Sequence, residues 1–195
     1  MLNIHFRELN TPRLQLRRLT TEDLPLYYER LASSEEVTRY MLWKPHRSIE
    51  ESSASIQKAL HRYETGESCR WVITKKPDAS LIGIIDLMPL NKNDDVCTFA
   101  YMLAKAFWGN GYGTEAVKAV IDHAFSECGV QRIQADYFAD NPASGAVMHK
   151  AGMQFLYTVP HKYEKYEKQH DACVCSITLG HWLKFRKETS SSDNS

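Results

Sequence analysis

Apolar and basic residues alternate from Arg13 to Leu19, so Leu14 and Leu16 face inward and the segment reads as a strand with one solvated face. Thr20 or Thr21 then predicts a helix cap, with Glu22 and Asp23 in the first turn and Leu24, Tyr27, Tyr28 and Leu31 at helical spacing. A second helix opens at Ser48-Ile49-Glu50-Glu51 and runs through Tyr63, burying Ile56, Leu60 and Tyr63. Between the two lies an aromatic, proline-containing loop, Tyr40 to His46, which fits either a hydrophobic plug over the core or a substrate-pocket wall.

From Cys69 the pattern changes to period two. CRWVITKK, a Pro77-Asp78-Ala79 turn and SLIGIIDLMPL predict a hairpin, and VCTFAYML follows as a third strand after a polar turn from Asn91 to Asp95. Val117, Val120, Ile121, Ala124, Phe125 and Cys128 then lie on one face of a helix that starts at Thr114 and stops at Gly129. The strand RIQADYFA, a short helix from Pro142, and two strand-like stretches, MQFLYTV and ACVCSITL, complete the pattern. The charged connection between the last two, HKYEKYEKQHD, reads as a solvated turn, and residues 188–195, ETSSSDNS, as a disordered tail. This order predicts an α+β fold: one domain over residues 1–187, with a mixed, mostly antiparallel sheet of about seven strands and helices on both faces.

Composition narrows the function. Formal net charge is zero over 195 residues, which favours neither a nucleic-acid backbone nor an anionic membrane as partner, so any anion site must be local. The five cysteines form no CxxC pair and read as small buried hydrophobes of an intracellular protein, and the eight histidines form no metal-ligand spacing, so no metal is expected. No apolar run approaches a membrane span and the first ten residues do not resemble a signal peptide; the expected location is the cytoplasm.

The densest chemical signal is FWGNGYGTEA. Gly109, Gly111 and Gly113 precede a helix whose first N–H groups have no intrahelical partner, an arrangement that suits a phosphate or pyrophosphate. The spacing fits neither a Walker loop, which needs Gly-Lys-Ser/Thr, nor the GxGxxG dinucleotide fingerprint. On composition alone a ligand-free glycine turn fits equally well.

The unit FAYMLAKAFWGNGYGTEAVKAVIDHAF, followed by ADNPASGAVMHKAGM, resembles the GNAT N-acetyltransferase superfamily, whose loop reads Arg/Gln-x-x-Gly-x-Gly/Ala. Gly111 and Gly113 match its last two positions. Trp108 stands at the first, a departure similar to the branch of ribosomal-protein N-terminal acetyltransferases. The resemblance implies acetyl-coenzyme A as co-substrate and a primary amine as acceptor, either a protein N-terminus or a small molecule, with direct transfer in a ternary complex. It implies that the backbone of Tyr101, Met102 and Leu103 pairs with pantetheine. Trp108, Gly109, Asn110, Gly111, Tyr112, Gly113 and Thr114 would hold the pyrophosphate, and Asn141 would contact coenzyme A while capping its own helix. The tyrosine that many members use as general acid corresponds here to Met148, which has no proton to give. Ser144 lies one turn earlier on the same face, and the resemblance to the ribosomal-protein branch, where a serine at this position acts as general acid, implies Ser144 as the acid and as a further coenzyme A contact. For the base, Asp86 and Glu164 are candidates, with Tyr163 standing where the branch often has a glutamate. A coenzyme A-binding regulatory module without activity is the alternative, and an exposed last hairpin offers an edge for a homodimer.

Overall fold

The computed structural model describes residues 4–90 and 95–192, so most of the Asn91 to Asp95 turn and the last three residues lie outside it. Eight strands form one sheet in the order β1-β2-β3-β4-β5-β6-β8-β7. They are β1 Leu9–Asn10, β2 Leu14–Arg18, β3 Cys69–Lys75, β4 Ser80–Pro89, β5 Val96–Leu103, β6 Arg132–Phe138, β7 Gln154–Lys165 and β8 Lys168–Thr178. Every pairing is antiparallel except β5 with β6. The α+β expectation holds; the strand beyond the expected seven is β1, too short for a period-two pattern to register.

Helices α1 Leu24–Tyr27, α2 Glu35–Thr38 and α3 Ile49–Thr65 cover one face, and α4 Tyr112–Glu127, α5 Pro142–Lys150 and α6 Leu179–Ser192 follow later in the chain. Side chains alternate across the sheet into two cores. On β3, Trp71 and Ile73 pack with Val117, Val120 and Ile121 of α4, whereas Val72 packs with Tyr27, Leu31 and Ile56 on the α1/α3 side.

Three local readings are corrected. The first helix is broken into a 3-10 turn Thr21–Asp23, α1 and a π-type stretch Tyr28–Ala32. The charged connection is mostly strand: β7 and β8 continue to Lys165 and from Lys168, because Tyr163 and Lys165 have burial partners that charge counting does not reveal. The chain of residues 188–192 is helical, as the end of α6, where a disordered tail was expected. That helix is anchored by Trp182, which packs against Phe125 and donates to Asp122.

The cysteines are unpaired, and four of the five are buried. Burial pushes the thiols of Cys69 and Cys97 up to about 12, which suits the small-hydrophobe reading. No helix among the described residues is long and apolar enough to cross a membrane. Strand β7 forms an edge of the sheet and exposes Phe155, Leu156 and Tyr157.

Candidate active site

The parallel pairing of β5 and β6 ends almost as soon as it starts, with Val96 opposite Arg132 and Cys97 opposite Ile133. Beyond Cys97 the two strands part, while β5 stays paired with β4 through Leu103. Backbone alternation decides which groups face the opening. Val96 accepts from Leu90 at 2.9 Å and Ala104 donates to Ile82 at 2.8 Å, so even-numbered β5 residues turn their N–H and C=O groups to β4 and odd-numbered ones turn them to the gap. Tyr101 and Leu103 therefore present backbone to the opening, and Met102 does not. Met102 instead directs its side chain to the α1/α3 face. The Leu103 carbonyl already accepts from the Trp108 indole N–H at 2.7 Å, which explains a tryptophan at the head of the glycine turn.

Helix α4 begins at Tyr112, among the glycines, and Thr114 falls in its first turn rather than at its cap. Gly111, with φ +79°, is its N-cap, and the first helical bond runs from Glu115 N–H to Gly111 C=O at 3.1 Å. A left-handed residue closes the turn there, so Tyr112, Gly113 and Thr114 form the first turn and their N–H groups have no intrahelical acceptor. Gly109, also left-handed at φ +74°, would bring an added Cβ into open space, and residues 108–111 are exposed, so the turn can receive a ligand. Gly113 is different. It is buried, and a Cβ there would touch Leu103, Tyr101 and Val147 at 3.4–3.6 Å, so its role is close packing of α4 on β5 and α5.

Arg13 and Glu115 hold this turn in place, and the sequence pattern singled out neither as a site residue. Glu115 accepts from the Arg13 backbone at 3.0 Å, its Nε at 2.7 Å and the Thr11 hydroxyl at 2.5 Å. Burial opposes its charge, but these hydrogen bonds outweigh burial and lower its pKa. Arg13 also donates to the Asn110 carbonyl at 3.0 Å and stacks on Tyr112. Asn110 donates its side-chain amide to the Trp108 carbonyl at 2.9 Å.

Asn141 caps α5, its side chain accepting the Ser144 N–H at 3.3 Å. Ser144 Oγ lies 3.2 Å from the Tyr101 hydroxyl, which joins α5 to the parted strand. Burial raises the Tyr101 pKa, with the Ser144 hydrogen bond pulling against it, so the phenol stays protonated at neutral pH. Met148, one turn on, is 2% exposed and belongs to the core.

On the α1/α3 face lies a cavity of about 150 Å³ whose lining includes Tyr27, Met41, Trp43, His46, Arg70, Asp86, Ala100 and Met102. The loop from Tyr40 to His46 is thus a pocket wall. Asp86 stands in the floor, its two oxygens accepting from Arg70 Nε at 2.7 Å and Nη2 at 2.9 Å. Burial works against the Arg70 charge, but Asp86 more than compensates and raises its pKa. His46 Nδ1 lies 2.7 Å from Ser52 Oγ and its ring is 4.8 Å from Trp43. Burial lowers its pKa against the pull of Glu51, which favours the neutral ring.

The last hairpin clasps the same loop. Lys165 donates through Nζ to the carbonyls of Thr38 at 2.6 Å, Met41 at 2.5 Å and Trp43 at 3.0 Å, and Tyr40 donates to the Asp140 carbonyl at 3.0 Å. Tyr163 stacks on Phe138 and donates to Asp136. Glu164, between Tyr163 and Lys165, is exposed and by strand alternation points to the other face. The structure does not bring it to the cavity. Among the described residues no group of three or more His, Cys, Asp or Glu is placed to hold a metal ion.

Known proteins align with this arrangement. The acetyltransferase (GNAT) domain family model matches residues 13–154. YoaA of Bacillus subtilis, an uncharacterized N-acetyltransferase, is 33% identical over 149 residues, covering 76% of this chain and 84% of its own. In solved structures the fold is similar to RimL, a ribosomal L7/L12 alpha-N-protein acetyltransferase in complex with coenzyme A, at TM-score 0.81 and 16% identity over 88% of this chain and 98% of that one. It is also similar to the spermidine N-acetyltransferase of Vibrio cholerae in complex with CoA and spermine, at TM-score 0.78 and 19% identity over 89% of this chain and 99% of that one.

Proposed function

Because this chain belongs to the GNAT acetyltransferase family and is therefore an acetyl-CoA-dependent acyltransferase, we propose that it moves the acetyl group directly onto a primary amine bound in the cavity behind the Tyr40 to His46 loop. The observation that carries this reading is the parting of β5 from β6 beside an open helix N-terminus, with a separate cavity reaching the same strand from the other face.

The residues fit the donor. The N–H groups of Tyr112, Gly113 and Thr114, and the exposed turn from Trp108 to Gly111, suit the pyrophosphate, while Tyr101 and Leu103 offer strand-like backbone to pantetheine. The thioester supplies an activated acetyl group. The Leu103 N–H, directed at the gap, is placed to stabilise the oxyanion that develops on the acetyl carbonyl. Ser144 and Tyr101 form the proton-donating pair for the departing thiolate, and Asn141 fixes Ser144 at the head of α5. Because Met148 is core, its lack of a proton does not argue for lost activity.

The acceptor must attack as a neutral amine. At pH 7 an α-amine with pKa near 8 costs about 1 kcal/mol to neutralise, a lysine side chain about 4–5 kcal/mol. An α-amine therefore needs little from a base, and among the described residues Asp86 is the carboxylate in the cavity wall that could assist.

Coenzyme A release measured across a panel of amines and N-terminal peptides tests the reaction. Ser144→Ala should lower turnover with the best amine by about 10²-fold while acetyl-CoA affinity, measured by calorimetry, stays near wild type. Unchanged turnover would remove Ser144 from the acid role.

A further inference from the structure

The acceptor's chemistry can be read from the cavity floor, given the transfer reaction proposed above. Two cross-strand rows contribute to that floor: Arg70, Asp86 and Ala100 in register, then Ile84 and Met102. Arg70 commits Nε and Nη2 to Asp86. Its remaining nitrogen, Nη1, is buried and has no hydrogen-bond partner. A buried donor without an acceptor is a standing cost that an incoming oxygen removes.

Charge decides which oxygen. The guanidinium is already matched by Asp86, so Nη1 lacks a lone pair rather than a second negative charge, and a neutral carbonyl supplies that. A polyamine asks for the opposite surroundings. It would bring two or more ammonium groups to a cavity whose one carboxylate among the described residues already holds Arg70 with both oxygens.

We propose that Arg70 selects the acceptor: Nη1 receives the carbonyl oxygen of an α-amino carbonyl compound, either a small amino-acid amide or the first residue of a peptide, and polyamines are poor acceptors. Tyr27 and Trp43 supply apolar walls for the carbon atoms next to that carbonyl.

The test is acetyl-CoA-dependent coenzyme A release with alaninamide, an alanine-led tetrapeptide amide, isopropylamine and spermidine, each rate referred to its unprotonated amine. Alaninamide or the tetrapeptide should exceed isopropylamine, which lacks the carbonyl, by about tenfold or more in kcat/KM. Preference for the tetrapeptide identifies a peptide N-terminus, and equal rates identify a small amino amide. Arg70→Lys, which can still hold Asp86 but has no second fork, should bring the ratio of amide to isopropylamine towards one. Melting temperature and acetyl-CoA binding check that the variant is folded, and the wild-type ratio stands as a test if it is not. Spermidine as the best acceptor, an amide no better than isopropylamine, or a ratio unmoved in folded Arg70→Lys overturns the acceptor class alone. No release with any amine overturns the transfer reading itself, and this inference with it.

Discussion

The donor turn and the acceptor cavity lie on either side of β5, yet they are built differently. The turn is contiguous: Trp108 to Thr114 supply main-chain N–H groups, two left-handed glycines and a helix N-terminus within seven consecutive residues. The cavity takes Tyr27 from α1, Trp43 and His46 from a loop, Arg70 from β3, Asp86 from β4 and Met102 from β5. Main-chain groups recognise an anion common to a whole family, and side chains gathered from distant segments recognise what is particular to one member. Substitutions should therefore separate the two functions cleanly.

Of the changes that separate the two regions, the largest effect is expected on the donor side. Gly111→Val places a β-branched residue at φ +79° with its Cβ about 3.4 Å from the Arg13 guanidinium. Left-handed backbone costs such a residue about 1–2 kcal/mol or more, so acetyl-CoA affinity should fall by at least about tenfold in calorimetry. If the variant instead weakened only the acceptor, the division between the two regions would be wrong.

A smaller effect is expected on the acceptor side. Lys165→Met removes the ammonium shared by the carbonyls of Thr38, Met41 and Trp43 and loosens the cavity wall. The acceptor KM should rise by roughly three- to tenfold, with acetyl-CoA affinity little changed. Steady-state kinetics with each substrate varied in turn would show this, and an equal loss for both substrates would mean that Lys165 holds up the fold as a whole.

The smallest effect compares a half-buried histidine with a buried one. His46 lines the cavity, and His123 lies inside α4 with Nε2 donating to the His5 carbonyl at 3.0 Å. Burial lowers both pKa values, so as pH falls below about 6.5 the unfolded chain binds protons first and stability drops. His123 contributes at most about 1.4 kcal/mol per pH unit, and the half-exposed His46, screened by solvent, contributes less. Denaturant melts between pH 7.5 and 5.5 should show the decline, and His46→Gln should remove part of it. A flat profile in the wild type would contradict the lowered pKa of both rings.

The same contrast explains what could be read in advance. Gly111 announced an anion turn because φ above zero and a following amphipathic helix leave a local mark in sequence. Thr114 suits either a cap or the first turn of α4; it takes the first turn, because Gly111 closes the turn by its backbone angle and is itself the cap. Asp86 was visible as a carboxylate in an apolar strand, but its partner Arg70 lies on another strand and becomes its neighbour only through the β3–β4 register. Glu164 and Lys165 are adjacent in sequence and face opposite ways, so choosing the glutamate there depended on a strand phase that the charge-rich segment concealed.

Hydrophobic period, turn chemistry and the glycine-led helix start determined the α+β class, the order of elements and the donor turn, because each depends on interactions between residues near in sequence. The parting of β5 from β6, the pairing of Ser144 with Tyr101, the Arg70–Asp86 floor and the Lys165 clasp were decided only by the tertiary structure. Each depends on strand register and side-chain direction across segments dozens of residues apart, which no local pattern encodes.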